Sequence, residues 1–298
     1  MNEKMATWLS GIISDFVRNS PENSLKMEPD EKAWDEVLVG FSSGADPLYE
    51  AYKELVGEFH WTPLEAFSIE FPEVAVNPDD LTVISWILPQ REGTKADNRK
   101  ETFYPSRRWV QARFPGEEFN SCLRRHVVRE LSSKGMKSVA PTLLSEWSRE
   151  KSPKYVFASK WSERHAAYAA GLGTFGLCDG LITSKGKAHR VGSVVANVSV
   201  PVSDRPYDDH HAYCLFFYDG SCTGCRKRCP VGAISEGGHD KVKCWNHAGV
   251  TCGEFVKKNY GFEGYGCGLC QTRVPCESGI PKKILTSMNT TAAISSRG

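Results

Sequence analysis

No run in this chain of 298 residues approaches the roughly 18 apolar residues that a membrane span needs. Charge of one sign is missing too. There are 37 Lys and Arg against 36 Asp and Glu, for a formal net charge of +1. That balance argues against a membrane-surface protein and against a broadly basic nucleic-acid binder, while leaving room for a local basic patch. The first residues, Met1-Asn-Glu-Lys-Met-Ala-Thr-Trp-Leu, lack the charged start, long apolar run and small-residue cleavage site of an export signal, and no twin-Arg pair precedes them. The expectation is a cytoplasmic protein with no membrane span and no nucleic-acid partner.

Cysteine is abundant. The chain has eleven, and nine of them lie between Cys214 and Cys276. In a long chain without an export signal, disulfides explain such a density poorly, and metal ligation in a reducing compartment explains it well. The spacing is ordered. Cys222-x-x-Cys225-x-x-x-Cys229-Pro230 is followed by Cys244, by Cys267-x-x-Cys270 and by Cys276. A C-x-x-C-x-x-x-C-P run is the ligand pattern of two-cluster ferredoxins, in which the cysteine before proline serves the other cluster. Thiolates suit soft iron, and such clusters do one-electron chemistry.

Two sets of ligands follow. Cys229, Cys244, Cys267 and Cys270 form one. Cys222, Cys225 and Cys276 supply three ligands of the other. A full run would place its fourth cysteine at position 219, where Asp219 stands. Cys214 is the favoured substitute, with Asp219, Cys252 or an open corner as alternatives. A zinc site would also accept two C-x-x-C pairs.

The remainder of the chain mixes helices and strands without a steady βαβ rhythm, which points to an α+β fold. Trp8, Leu9, Ile12, Ile13, Phe16 and Val17 recur with helical period, and the helix they define is expected to pack on the body of the protein. Residues 1–80 read as mainly helical, including Pro47–Phe59 with Leu48, Ala51, Tyr52, Leu55, Val56 and Phe59 on one face. Leu81–Leu88 reads as a buried strand, Gln90–Lys100 as a polar loop, Phe119–Ser133 as a helix stopped at Gly135, and Ser138–Leu144 as a short strand. Trp161–Ala170 reads as a helix ending in Gly171-Leu-Gly173-Thr174-Phe-Gly176, with strands at Leu181–Thr183 and Val191–Val200. The composition shifts near 206. We therefore expect a domain over 1–205 and a small cluster-built domain over 206–298 whose last stretch, from Thr286, frays.

Gly171-x-Gly173-x-x-Gly176 also spells a dinucleotide fingerprint. It follows a helix instead of a strand and lacks an acidic residue about twenty positions on, which argues against that reading. A helix cap followed by tight turns is its plain alternative. The basic–aromatic group Tyr104, Arg107, Arg108 and Arg113 suits an anion or a solvated face. His210, His211 and His239 lack a matching ligand set and are assigned to loops. Cys178, close to the glycines, reads by default as a buried inert thiol.

The segment Ser162-Glu-Arg-His-Ala-Ala-Tyr-Ala-Ala-Gly-Leu-Gly-Thr-Phe-Gly176, followed by Gly180-Leu-Ile-Thr-Ser-Lys-Gly and the cysteine run, resembles epoxyqueuosine reductase and the reductive dehalogenases over roughly residues 150–280. The resemblance implies a nitroreductase- or cobalamin-processing-like corrinoid domain followed by a ferredoxin-like domain with two 4Fe–4S clusters. It implies cobalamin beside Gly171, Gly173, Thr174 and Gly176, with Val191–Val200 lining it, and an external ferredoxin or flavodoxin as electron donor. Phe157 occupies the position six residues before Glu163 where the family carries an acidic proton donor. Tyr168, His165, Arg164 and Lys160, on or beside one helix, are the candidate proton donor and its neighbours.

The expected function is thus an oxygen-sensitive iron–sulfur, cobalamin-dependent reductase of a small organic substrate from an anaerobe. An iron–sulfur electron-transfer protein or reductive activator of a corrinoid enzyme is the first alternative. A tRNA epoxyqueuosine reductase is the second, and a zinc-stabilised interaction module the third.

Overall fold

Branched and aromatic residues make Leu81–Pro89 a strand, and every one of its positions is buried. A strand buried along its whole length needs neighbours on both edges and cover on both faces. In this computed structural model, which describes residues 2–295, it lies inside a four-stranded sheet of order Leu38–Ser43, Leu81–Pro89, His189–Asn197, Ser138–Val139. The first pair is antiparallel, with Leu38 opposite Ile87 and Ser43 opposite Thr82. The last pair is antiparallel too, with Ser138 opposite Ala196. Two helices cover the sheet. Asn2–Asn19 buries Leu9, Ile13 and Val17, and Pro115–Ser133 buries Phe119, Leu123, Val127 and Leu131. A spacing of four residues keeps each set on one stripe, and both stripes join Ile84, Trp86, Leu88, Val194 and Ala196 in a single core. Gly192 is where the Trp86 indole needs room, since a Cβ there would come within 2.5 Å of the ring.

The chain divides into two compact units. The first holds the sheet and runs to Arg91, then Gln111–Leu172 and Arg190–Pro206. The second takes Glu92–Val110, Gly173–His189 and everything from Tyr207 onward. It is built from short pieces. Gly173–Phe175 pairs antiparallel with Leu181–Thr183, and single-turn helices span Leu215–Asp219, Gly224–Arg228 and Lys241–Trp245. A π-helical turn, Asn246–Thr251, leads into the helix Cys252–Tyr260. The expected junction at 205/206 is one crossing between the units, and 92–110 and 173–189 are two further segments of the second unit.

Several expectations change. Leu38–Ser43 is a strand within the stretch read as helical. The helix Leu48–Val56 buries Tyr49, Tyr52 and Val56 and leaves Leu55 exposed, so its inner face is rotated from the one expected. Glu92–Lys100 is a helix instead of a loop. It has almost no apolar face, and the ion pairs Lys95–Glu92 (3.3 Å) and Lys100–Asp97 (3.0 Å) span its turns. Ser138–Val139 runs into a 3-10 turn, Pro141–Leu143, instead of continuing as strand. The tail expected to fray forms the helix Lys282–Ser295, and residues 296–298 lie outside the described residues. Gly135 ends its helix as expected, at φ +77.

Candidate metal centre

All eleven cysteines are free thiols in this structure. In the second unit, Cys214, Cys222, Cys225 and Cys276 line one small cavity of about 20 Å³. Its other walls are Gly176, Leu177, Ile182, Leu215, Phe216, Val274 and Pro275, with Lys187 the only charged residue. Local structure delivers each sulfur. Cys214 precedes the turn of helix Leu215–Asp219. Cys222 and Cys225 flank the start of Gly224–Arg228, and the Gly224 N–H donates to Cys222 Sγ at 3.5 Å. The carbonyl of Cys276 accepts from the N–H of Lys187 at 2.9 Å, which ties its segment to the turn after Leu181–Thr183.

The second set occupies the same unit. Cys229 closes helix Gly224–Arg228, and its Sγ accepts from the N–H of Ala233 at 3.1 Å. Cys244 sits in Lys241–Trp245, capped by Asp240, and His239 hydrogen bonds to it as well as to Asp179 at 3.0 Å. Cys267 meets His247 and Cys252, and Cys270 meets Cys178. Gly268 has φ +67, and a Cβ there would fall 1.9 Å from the Trp109 indole, so the Cys267–Cys270 turn closes only around glycine. Arg228 laces the region together through the carbonyls of Leu269 and Thr272 (3.2 Å each), Glu101 (2.8 Å) and Asn98 (3.1 Å).

Burial raises the thiol of Cys276 to about 11. The Cys252 side chain and burial push Cys267 up as well. Buried thiols of this kind ionise readily only when a metal takes the sulfur, so deprotonation and metal binding are one event. Among the described residues no three His, Cys, Asp or Glu side chains converge as on a single ion. A four-iron cluster spreads its ligands over separate corners, so convergence is not its mark, and the zinc alternative gains no support.

The alternatives for the fourth ligand separate. Asp219 lies outside the cavity, ion-paired with Lys283, and its hydrogen bonds to Lys283 and Ser221 hold its carboxyl down at about 2. Cys252 is beside Cys267 and His247, on the side of the other set. Cys214 is at the cavity.

The residues expected to cradle a corrinoid do not form an open cradle. A Cβ on Gly171, φ +75, would meet the Asp204 carbonyl at 2.1 Å, and one on Gly173 would meet that of Ile182 at 2.3 Å. Thr174 is fully buried, its Oγ1 accepting from the Tyr213 N–H at 2.8 Å. Gly176 borders the cysteine cavity instead. Val191, Val194 and Val195 lie buried in the central sheet. The glycines thus answer the chain's own close packing, and these residues do not fit a corrin face.

The expected catalytic group is split. His165 hydrogen bonds through Nδ1 to Ser162 Oγ at 2.7 Å and packs edge-on against Tyr52, ring centroids 4.6 Å apart. Tyr52 donates to the His165 carbonyl at 3.1 Å and feels Tyr168, so His165 and Tyr168 adjoin one buried tyrosine. Lys160 turns instead to the Glu146 carbonyl (3.0 Å) and to Glu150 (3.5 Å), and Arg164 is exposed. Arg164 and Lys160 therefore do not join Tyr168 in one pocket.

Glu163, the acidic member of the Glu-Arg motif, is buried against Arg124 at 2.9 Å and hydrogen bonded to Ser193. Burial pushes its carboxyl above the ordinary range, against the pull of Arg124. Of the basic–aromatic group, Tyr104 stacks on Phe255 at 3.9 Å and Arg108 pairs with Asp97 at 2.5 Å. His211 hydrogen bonds through Nδ1 to the Phe175 carbonyl at 2.8 Å and stacks on Phe217, as befits a loop histidine.

Sequence reasoning missed Cys178. It is buried against Cys225 and Cys270 and is not an isolated thiol. Its only sequence signal was its nearness to the glycine run.

The site and fold thus define a mixed helix–sheet protein with a dense, buried framework of free cysteines in its second unit. This chain is similar to the epoxyqueuosine reductases, as the motifs around Glu163 and the cysteine run indicate. It is 35% identical over 125 residues to the "Epoxyqueuosine reductase" of Bacillus anthracis and 34% over 125 residues to that of Bacillus cereus. Each match spans 40% of this chain and 30% of the relative, so the chain matches under a third of the length of these curated relatives. No family model matches.

Among solved structures, a selenomethionine-labelled epoxyqueuosine reductase aligns over 84% of this chain and 63% of its own at 19% identity, with a TM-score of 0.42. Another, with an epoxyqueuosine-modified tRNA-Tyr stem loop, aligns over 96% of this chain and 68% of its own at 17% identity, with a TM-score of 0.46. The relatives' name and that complex overturn the expectation that a nucleic-acid partner is improbable. Net charge sums over the whole molecule, and recognition of a stem loop is a local matter that a balance of +1 does not report.

Proposed function

We propose that this chain is an oxidoreductase of the epoxyqueuosine reductase kind, with two 4Fe–4S clusters in its second unit and a substrate carried on tRNA. The observation that carries the reading is the cavity lined by Cys214, Cys222, Cys225 and Cys276, four sulfurs from three separate segments of chain. Cys229, Cys244, Cys267 and Cys270 would hold the second cluster. When bound, such clusters supply electrons one at a time.

The chain's own residues do the rest. N–H groups of Gly224 and Ala233 donate to Cys222 and Cys229 Sγ, and hydrogen bonds of this kind tune a cluster. Leu177, Ile182, Leu215 and Phe216 keep water from the cavity. Its present volume of about 20 Å³ means that the thiols must turn outward onto a cluster's corners. Proton delivery falls to the first unit, where His165 and Tyr168 flank Tyr52 and Phe157 cannot supply a proton. Cobalamin has no place in the reading, because the residues assigned to it are packed against the chain itself.

Anaerobic isolation followed by iron and sulfide analysis tests the proposal, with about eight irons per chain expected from two clusters. Cys222→Ser and Cys276→Ser should each remove about half of that iron. Incubation with a reductant and an epoxyqueuosine-bearing stem loop should lower the mass of the modified base by one oxygen. Iron-free protein from a host that builds such clusters overturns the redox reading. Fully loaded protein that leaves the base unchanged overturns the substrate alone.

A further inference from the structure

Lys187 is 3% exposed, and a buried ammonium is costly unless something compensates it. Its Nζ donates to Cys178 Sγ at 3.3 Å. Cys178 in turn lies against Cys225 of the first ligand set and Cys270 of the second. The side chain of Lys187 also hydrogen bonds to Cys276. Burial works against the charge on Lys187, but Cys178, Cys276, Cys270 and Cys225 together outweigh it and favour the ammonium. One cation thus sits where the two ligand sets meet.

Its delivery is built into the backbone. Gly186 has φ +82, and a Cβ there would strike the Glu277 carbonyl at 2.1 Å, so only glycine lets the turn press onto the segment carrying Cys276. The next residue, Lys187, donates its N–H to the Cys276 carbonyl at 2.9 Å. Gly180 leaves space on the other side, where a Cβ would lie 3.4 Å from Cys178 Sγ and 3.5 Å from Lys187 Cδ.

We propose that Lys187 is a fixed positive charge that raises the reduction potential of the adjoining iron–sulfur centre, a positioning and tuning role and not a ligand's. This rests on the iron–sulfur reading above. A four-iron core ringed by four thiolates is negative overall and becomes more so when it accepts an electron. A cation in contact with the ligand sulfurs, in an interior that screens poorly, favours the reduced form. Only the presence of the charge matters. Arginine should replace it and a neutral side chain should not.

The test is a redox titration followed by electron paramagnetic resonance on the full chain with its clusters built in, with iron counted in parallel. Lys187→Met should make one cluster at least tenfold harder to reduce, a fall of about 59 mV for a one-electron couple. Lys187→Arg and the exposed Lys185→Met should stay within twofold of the wild type. A Lys187→Met protein with full iron and unmoved potentials overturns the proposal, as does equal loss of iron from the Met and Arg variants, which would mean that shape alone matters. Should the Met variant alone lose iron, Cys178→Ala decides. It keeps the charge of Lys187, so its potential must hold or rise, and a fall overturns the proposal. Iron-free wild-type protein removes the iron–sulfur reading and this inference with it, a result distinct from loaded clusters whose potentials do not move.

Discussion

His60 shows how one buried side chain couples this molecule to pH. It is 1% exposed, its Nδ1 meets the Trp61 carbonyl at 3.2 Å, and its Nε2 has no hydrogen-bond partner among the described residues. Burial drives its pKa from 6.5 down to about 4, helped by Lys53. The unfolded chain therefore binds a proton that the folded chain refuses between those two values, and stability falls as pH falls through that window. At 1.36 kcal/mol per pH unit the full effect is about 3 kcal/mol, present above pH 6.5 and gone by about pH 4. Roughly 2 kcal/mol of it should be lost between pH 7 and pH 5. Urea unfolding at those two values checks it, with His60→Gln as the reference that should lack this slope. Identical slopes for the two proteins would show that His60 is not held neutral.

At the level of elements, the ligand cysteines were readable because their message is local. C-x-x-C places two sulfurs on one turn, and Pro230 after Cys229 turns the chain. What could not be read depends on contacts far apart in sequence. Lys187 reaches the sulfurs only because Gly186 fits beneath Glu277, ninety-odd positions away, and nothing in Ser-Lys-Gly-Lys announces that. Strand Leu81–Pro89 was legible from its apolar run, and helix Glu92–Lys100 was not, because polar pairs hold it instead of an apolar stripe. The Gly171–Gly176 string was misread because glycine serves a close approach of any kind, and here the partners are the carbonyls of Asp204 and Ile182.

The same reasoning makes Gly268 a test at this scale. Its φ of +67 and the Trp109 indole 1.9 Å from a would-be Cβ mean that Gly268→Ala must displace either the ring or the turn bearing Cys267 and Cys270. About half the iron should be lost while Cys222 and Cys225 keep theirs. Iron analysis of the variant beside the wild type measures this, and full retention would show that the turn tolerates a side chain.

For the whole molecule the question is how a protein of net charge +1 could hold a tRNA stem loop. Long-range steering by the field of a neutral protein is weak. Many cations are already engaged: Lys53 with Glu65, Arg99 with Glu92 and Glu277, Arg108 with Asp97, Arg124 with Glu117 and Glu163, and Arg226 with Glu236. Binding must then rest on a few phosphates and on contacts to the base itself. Each neutralised phosphate contributes roughly 0.7 to 0.9 to the slope of log affinity against log salt. The expected slope is therefore shallower than about −3, and the modified base should contribute affinity that salt does not remove. Fluorescence anisotropy of a labelled stem loop, with and without the modified base, across a salt series measures both. A slope twice as steep would reveal a concentrated basic face that the balance of charges conceals. No binding at low salt would remove tRNA as the substrate's carrier while leaving the clusters untouched, and the search would move to a free small molecule presented to the same electrons.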